Sequence, residues 1–392
     1  MAVAEFDEAE FAALKAEITA WVQGPGEEWA NTIEETDEVP AELFAELKDR
    51  GWLSLAAPAE LGGRGIPFSR YLELLEQISK SHGSIRMLVH VINGTWRAMA
   101  PYATPELLDE VVKPSVAGEK LVAFTLTEPD NGTGADITTT VRREGDDYVM
   151  NGVKHLITFG VKADYLLIAA RLEGSTGNDG TVAFAMPNRL PGAEVIDDSD
   201  TMGVRGTDHA ILKFDEVRVP AKYRLGDEGQ GLEVALGGFL LPSRVSVAMS
   251  AVGLAERAQE LAIAFSKERV TFGKPLAQRQ VIQFYIAENF GRIAAAKALI
   301  IQAARAYESD APEASALSSA AKMIAVEMLA SVTDNALQVF GGRGYWKKNA
   351  IERVYRDARA QRFEEGTNEI QKLVVARAAI TGEANTEGIM NW

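Results

Sequence analysis

Cysteine is absent from the 392 residues, which excludes a disulfide framework and any thiolate metal site. Histidine is scarce: His82, His90, His155 and His209 are the only four, and no two stand four apart. The paired-histidine helix of zinc hydrolases is therefore missing. Basic residues are outnumbered, 40 Lys plus Arg against 56 Asp plus Glu, for a net charge of −16. They form no cluster, and a nucleic-acid footprint needs one. Uninterrupted apolar runs are lacking too. The most apolar window, LEVALGGFLLPSRVSVAMSAVGL, is cut by Pro242 and Arg244, so no membrane span is expected. The opening MAVAEFDEAEF is acidic, without the basic and apolar regions of a secretory signal. A cytoplasmic location is the expectation.

What the chain does have is length and 47% hydrophobic residues, enough for two or three domains. Residues 1–121 show apolar positions at three- and four-residue spacing, as in AELFAELKDRGWLSLAAP, and read as helices. From 122 to 230 the pattern becomes alternation with turn signals. TTTVRREGDDYVMNGVKHLI reads as a hairpin or meander, with a polar EGDD turn and then Asn151-Gly152, a type I′ turn signal. An antiparallel β domain is predicted. From 231 to 392 the spacing is helical again, with one long helix over about 277–308 and another stopping at Gly341-Gly342. A last helix follows Thr367, a candidate N-cap, with Glu369 favourable to its dipole. Four long helices in one zone predict a bundle. The α, then β, then α order excludes a simple βαβ nucleotide fold.

The glycine-rich stretches GTGADI and GQGLEV lack the third glycine and the strand-to-helix setting of a dinucleotide fingerprint. TLTEPDNGTGAD (125–136) ends a strand in a loop of backbone N–H groups and hydroxyls. It suits a diphosphate or a flavin edge, or is an ordinary hairpin end. KERVTFGKPLAQRQ and QVFGGRGY each read alone as helix connections. Adjacent Glu364 and Glu365, just before Gly366 and Thr367, are either a solvated loop edge or a sheltered base.

Taken together and in order, PAELGGRGI, LTEPDNGTGAD, NGVKHLITFG, GVRGTDHAILKFDEVRVP, LGDEGQG, ERVTFGKPLAQRQ, LQVFGGRGYWKKNAIERVYRDARAQRFEEGT and NEIQKLVVARA resemble the acyl-CoA dehydrogenases over essentially the whole chain. The resemblance implies a multidomain α+β fold: an N-terminal all-α domain (1–121), a middle antiparallel β domain (122–230) and a C-terminal four-helix bundle (231–392). It also implies a homotetramer and FAD held partly by a neighbouring subunit. The implied reaction is α,β-dehydrogenation of an acyl-CoA thioester, with Glu365 as base and hydride transfer to flavin N5. Implied FAD contacts are Phe124, Leu126, Thr127, Gly132, Thr133, Gly134, Ile157, Thr158, Arg269, Thr271, Phe272, Gln280, Gln338, Gly341, Gly342, Thr367 and Glu369. Arg244 and Gly366 match substrate-binding positions, and the implied electron acceptor is electron-transferring flavoprotein.

The chain departs from the family pattern at several points. Glu364 replaces the usual Tyr, and is expected to face water or pair with Arg362 or Arg343, the alternative being a polar acyl pocket. Leu156 stands where a Trp commonly flanks the flavin, Phe159 replaces a small polar residue, and Leu241 replaces a frequent Asp. The 130–136 loop is two residues longer than usual. Trp96 and Arg97 would shorten the acyl pocket or make it polar if they pointed inward. A short, branched, cyclic or polar acyl group is expected. Alternatives are a thioester tethered to a carrier protein, and monooxygenase or oxidase chemistry on the same fold.

Overall fold

Asp7 starts the first helix by accepting hydrogen bonds from the backbone N–H groups of Ala9 and Glu10 at 2.8 and 3.2 Å, the usual way a short acidic side chain satisfies orphan donors. The computed structural model describes residues 7–131 and 136–384. Helix α1 (Glu8–Gln23) buries Phe11, Leu14, Ile18 and Trp21 on one stripe. Then come α2 (Pro25–Thr36), α3 (Ala41–Asp49), α4 (Phe68–Ile78) and α5 (Gly83–Met99). Helix α5 is buried along almost its whole length. Ile85 to Ile92 join a core shared with the C-terminal helices, while Ala98 and Met99 join the core of the sheet. Its start is fixed by Asp357, whose carboxylate accepts from Gly83 N (3.0 Å) and Val204 N (2.6 Å). The single turns α6 (Pro105–Leu107) and α7 (Lys113–Val116) lead into the strands.

The strands are β1 (Val122–Thr125), β2 (Thr140–Glu144), β3 (Asp147–Thr158), β4 (Tyr165–Leu172), β5 (Thr181–Pro187), β6 (Ala193–Asp197), β7 (His209–Val219) and β8 (Arg224–Leu225). They form one sheet in the order β6-β7-β3-β2-β4-β5-β8, with β1 beside β4. The sheet is predominantly antiparallel; β1–β4 and β2–β4 pair in parallel. The EGDD turn is present, with Gly145 at φ +69 between the paired Glu144 and Asp147.

Asn151-Gly152 is not a turn. It lies inside β3 at a break in register with β7. The Asn151 side chain is spent across the strands, donating to Glu216 Oε1 (2.7 Å) and accepting from Glu216 N (2.9 Å). A Cβ on Gly152 would sit 2.6 Å from Thr139 Oγ1. Close approach of Thr139, the residue before β2, rather than chain reversal, explains this glycine. A second break, between Lys154 and Ile157, puts Leu156 at φ +56 and leaves it 59% exposed.

Beyond the sheet, a π-helical segment (Glu233–Leu240) runs into α8 (Leu241–Glu268). The two-residue strands β9 (Val270–Thr271) and β10 (Lys274–Pro275) make a small hairpin before α9 (Gln280–Glu308) and α10 (Ala314–Phe340). Helices α11 (Ala350–Ala360) and α12 (Asn368–Thr381) complete the described chain. The long helix predicted from 277 begins at Gln280, because Leu276–Gln278 form a 3₁₀ turn. Val245, Ala248, Val252 and Ala255 are fully buried, as their spacing predicts, and small residues on α10 (Ala321, Ala325, Ala336) let it approach closely. Pro242 and Arg244 do not interrupt the helix: residues 233–268 and 314–345 are long and apolar enough to cross a membrane by composition. Their most apolar windows are 72% and 67% buried by the rest of the protein.

Under the strand ends, Lys154 Nζ lies 2.9 Å from Glu128 Oε1, both side chains almost wholly buried. Glu128 also accepts from Thr138 N (2.6 Å), Thr138 Oγ1 (2.7 Å) and Thr139 N (2.9 Å). Burial opposes its charge, but Lys154 and these amides overcome that and hold its pKa at about 2. This clamp closes both ends of the loop that follows Pro129. Replacing Lys154 by Met strands a buried carboxylate, which typically costs about 3–5 kcal/mol. Thermal unfolding of the variant should show a large loss of stability, and the Lys154→Met, Glu128→Gln pair should recover much of it.

Candidate active site

Between α11 and α12 the chain reverses through Glu365 (φ +54) and Gly366 (φ +94). A left-handed glutamate is strained, and the surroundings hold it from three helices. From α10, Lys322 Nζ donates to the carbonyls of Arg362 (3.0 Å) and Gly366 (2.9 Å). From α12, Gln371 Nε2 donates to the carbonyls of Glu365 (3.0 Å) and Gly366 (3.1 Å). From α8, Arg244 Nε reaches the Glu365 carbonyl at 3.4 Å. Position 366 favours glycine because its φ of +94 strains any other residue, and a Cβ there would also push on Gln371 Nε2 at 2.9 Å.

With its backbone so fixed, Glu365 turns its carboxylate inward, and only 13% of the side chain is exposed. Ser243 Oγ donates to Glu365 Oε1 at 2.7 Å, and His90 Nε2 stands 2.9 Å from Ser243 Oγ. A hydroxyl has one proton. With the Ser243 proton given to Glu365, His90 donates to Ser243 Oγ through Nε2–H, and His90 Nδ1 has no partner among the described residues. His90 Nε2 is also 3.7 Å from Glu365 Oε1.

Glu364 neither faces water nor pairs with Arg362 or Arg343. Its carboxylate takes both ends of the Arg86 guanidinium, at 2.7 and 2.8 Å. Burial disfavours its charge, but Arg86 more than offsets this and keeps its carboxyl below the usual range. The expectation fails because the loop is not extended: the left-handed turn brings both glutamates against α5, where Arg86 and His90 sit four residues apart on one face.

The strand candidates approach α5 through Phe239. Phe124 stacks on Phe239 (centroids 4.4 Å apart), and the Phe239 ring lies 6.4 Å from that of His90. This links the end of β1 to the carboxylate of Glu365. Leu126 and Ile157 turn their side chains into the β core. The Leu126 carbonyl accepts from Lys154 (2.9 Å), and the Thr127 carbonyl accepts from His155 N (2.9 Å). Thr158 is half-buried opposite His209 on β7. Gly132, Thr133 and Gly134 lie outside the described residues. Phe159 is buried in the core shared by the helices. Trp96 and Arg97 bond to the Asn93 carbonyl, and Arg97 stacks on Trp96 and Phe68 rather than on the glutamates.

A separate groove of about 710 Å³ gathers Arg269, Thr271, Gln338, Gly341 and Gly342 between the ends of α8 and α10. Arg343 and Lys348 also line it and no carboxylate does, a donor set that fits a diphosphate. Phe272 (97% exposed, φ +45) and Gln280 point away to the surface. Thr367 occupies the N-cap position of α12 without a side-chain cap bond. Glu369 folds back instead: its own backbone N–H, and then the Thr367 hydroxyl, hold its carboxyl below the ordinary range.

Models of the acyl-CoA dehydrogenase N-terminal, middle and C-terminal domains match residues 8–119, 123–217 and 229–380. Human mitochondrial short-chain specific acyl-CoA dehydrogenase is 34% identical over 86% of this chain and 82% of its own length. The chain belongs to the acyl-CoA dehydrogenase family. Acryloyl-CoA reductase (NADH) of Anaerotignum propionicum is 37% identical, over 89% of each chain. The structure of butyryl-CoA dehydrogenase from Megasphaera elsdenii superposes with a TM-score of 0.88 at 31% identity, covering 97% of this chain and 100% of that one. As a member of that family it is an FAD-dependent oxidoreductase of CH–CH bonds.

Arg86, His90, Ser243, Lys322, Gln371 and the Glu128–Lys154 clamp were not singled out as site residues from the sequence. Arg86 and His90 carried a signal, a charged and a polar residue one turn apart in the apolar stretch SIRMLVHVING. A hydrogen bond to a charged group contributes about 1.5–3 kcal/mol. Ser243→Ala should therefore slow thioester-dependent flavin bleaching at least about tenfold while FAD stays bound, read by stopped-flow absorbance. Burial pulls Lys322 down to a pKa of about 8, against the opposing pull of Glu364 and Glu365. Below pH 8 its ammonium has three protons for its three acceptors, the two carbonyls and Asn368 Oδ1 at 3.5 Å; above it, the neutral amine has two and loses the charge that strengthens each bond. The bleaching rate should fall as pH rises through about 8, and Lys322→Met should be slow on both sides and lack that limb.

Proposed function

We propose that Glu365 is the base that removes the α-proton of a short acyl-CoA thioester. The observation that carries this is a sheltered carboxylate whose backbone is held by Lys322, Gln371 and Arg244 and whose oxygen is held by Ser243. An α-proton beside a thioester is weakly acidic, so the base must be positioned and kept from water. The thioester enters through an opening of about 550 Å³ whose lining includes Leu236, Arg244, Ser315, Ile370, Arg377 and Glu383. Its two arginines, against the single carboxylate of Glu383, suit the anionic half of CoA. The Glu365 backbone N–H donates to the thioester carbonyl, and Gly366 leaves room for it. FAD, held by the β1 and β3 strand ends, supplies the hydride acceptor.

The bundle groove belongs to a different copy of the site. Ser243 and Arg269 are 26 residues apart at opposite ends of α8, about 39 Å along a helix, too far for both to hold one flavin. The groove therefore completes a neighbour's site, in a homotetramer. Phe284 and Phe290, exposed on α9, fit such an interface. Electron-transferring flavoprotein is the acceptor in this reading, meeting the exposed Leu156. A cytoplasmic location belongs to the same proposal. The same groups work in reverse, with Glu365 returning a proton to the α-carbon, as the similarity to a protein named acryloyl-CoA reductase allows.

Glu365→Gln should keep FAD and lose thioester-dependent bleaching by several orders of magnitude in an anaerobic titration. Undiminished bleaching would remove Glu365 from the reaction.

A further inference from the structure

The two oxygens of the Glu365 carboxylate are held differently. Oε1 accepts from Ser243 Oγ at 2.7 Å. Oε2 has no partner among the described residues and is not wholly enclosed. A base with one tied and one free oxygen depends on what keeps the tie in place. Behind Ser243 stands His90, whose Nε2 is 2.9 Å from Ser243 Oγ and 3.7 Å from Glu365 Oε1. The His90 side chain is 3% exposed. Its ring is carried by the buried helix α5 and lies tilted against Phe239, so it has little freedom to turn away.

The two neutral tautomers of His90 have opposite effects on Ser243. With the proton on Nε2, the ring donates to Ser243 Oγ, and the serine proton has Oε1 as its acceptor. The same N–H turns its positive end toward Oε1. With the proton on Nδ1, a bare Nε2 competes with Oε1 for the serine proton and aims a lone pair at a carboxylate oxygen. The Nδ1 proton would also be enclosed with nothing to accept it, because Nδ1 has no partner among the described residues. A buried donor without an acceptor is costly. The site therefore supports the Nε2–H form. A serine on a helix can otherwise turn its hydroxyl back onto a carbonyl of the preceding turn, and the histidine N–H restrains that rotation.

We propose that His90 is a positioning residue acting through Ser243: it aims the serine proton at Oε1 and so leaves Oε2 to take the α-proton. This rests on the reading of Glu365 as base. In the step, the Cα–H bond breaks and its proton bonds to Oε2. The electron pair stays on the thioester as its enolate, and Ser243 and His90 neither gain nor lose a proton. The test is a double-mutant cycle read by stopped-flow flavin bleaching with saturating butyryl-CoA. His90→Leu should keep FAD and slow bleaching roughly two- to tenfold, the weight of one neutral hydrogen bond. His90→Gln, which offers an N–H at similar reach, should restore the rate. In a Ser243→Ala background His90→Leu should slow bleaching no further, because the two residues act in one line. A second reading needs no turnover. Solid-state nitrogen-15 NMR of the histidine-labelled wild type at pH about 8.5 should place the His90 proton on Nε2, the signal being the one of four lost in His90→Gln. That reading decides the matter if His90→Leu fails to fold. A proton on Nδ1, an additive loss in the double variant, no rescue by Gln, or a wild-type rate in His90→Leu overturns the proposal. Glu365 keeps its role in each of those cases if Glu365→Gln abolishes bleaching, and undiminished bleaching by Glu365→Gln overturns both.

Discussion

A carboxylate can act as a base on a weakly acidic carbon only if it is denied water and denied freedom, and both depend here on how one loop is tied down. Lys322, buried in α10, is the central tie. Its ammonium spans the Arg362 and Gly366 carbonyls on either side of the paired glutamates. An unpaired buried ammonium would be expensive, so the loop and the lysine each make the other tolerable. Gln371 and Arg244 add bonds to the same few carbonyls, and together they sustain a left-handed glutamate that would otherwise relax.

That tie also explains why the two glutamates end up together. In an extended segment consecutive side chains diverge, whereas the turn at Glu365 and Gly366 brings both against one face of α5. Arg86 cancels the charge of Glu364, so Glu365 does not sit beside an uncompensated like charge. Two neighbours in sequence thus have different surroundings: one is locked in a bidentate pair with Arg86, the other is held at one oxygen by Ser243.

Helical zones, the strand zone and the position of the carboxylate before Gly366 were legible because periodicity and local turn chemistry are written in consecutive residues. The end of α10 at Phe340 and the turn at Gly145 were readable for the same reason. Asn151-Gly152 misled, because its local signal for reversal was overridden by the close approach of Thr139 and by the reach of Asn151 to Glu216. Ser243, Lys322 and Arg86 could not be read as site residues. Each sits 40 or more positions from the loop residues it bonds, and only the packing of α5, α8 and α10 brings them to it. The wide separation of Ser243 and Arg269 along α8 was equally invisible as a motif, although the residue count between them contained it.

Helix α5 belongs to two cores at once, its first turns to the helical one and its last residues to that of the sheet. Pulling either core apart withdraws this shared rod from the other. The halves of the molecule should therefore melt as one cooperative body rather than piecewise, and the slowest-exchanging amides should run without a break along α5, from the carboxylate pair to the sheet.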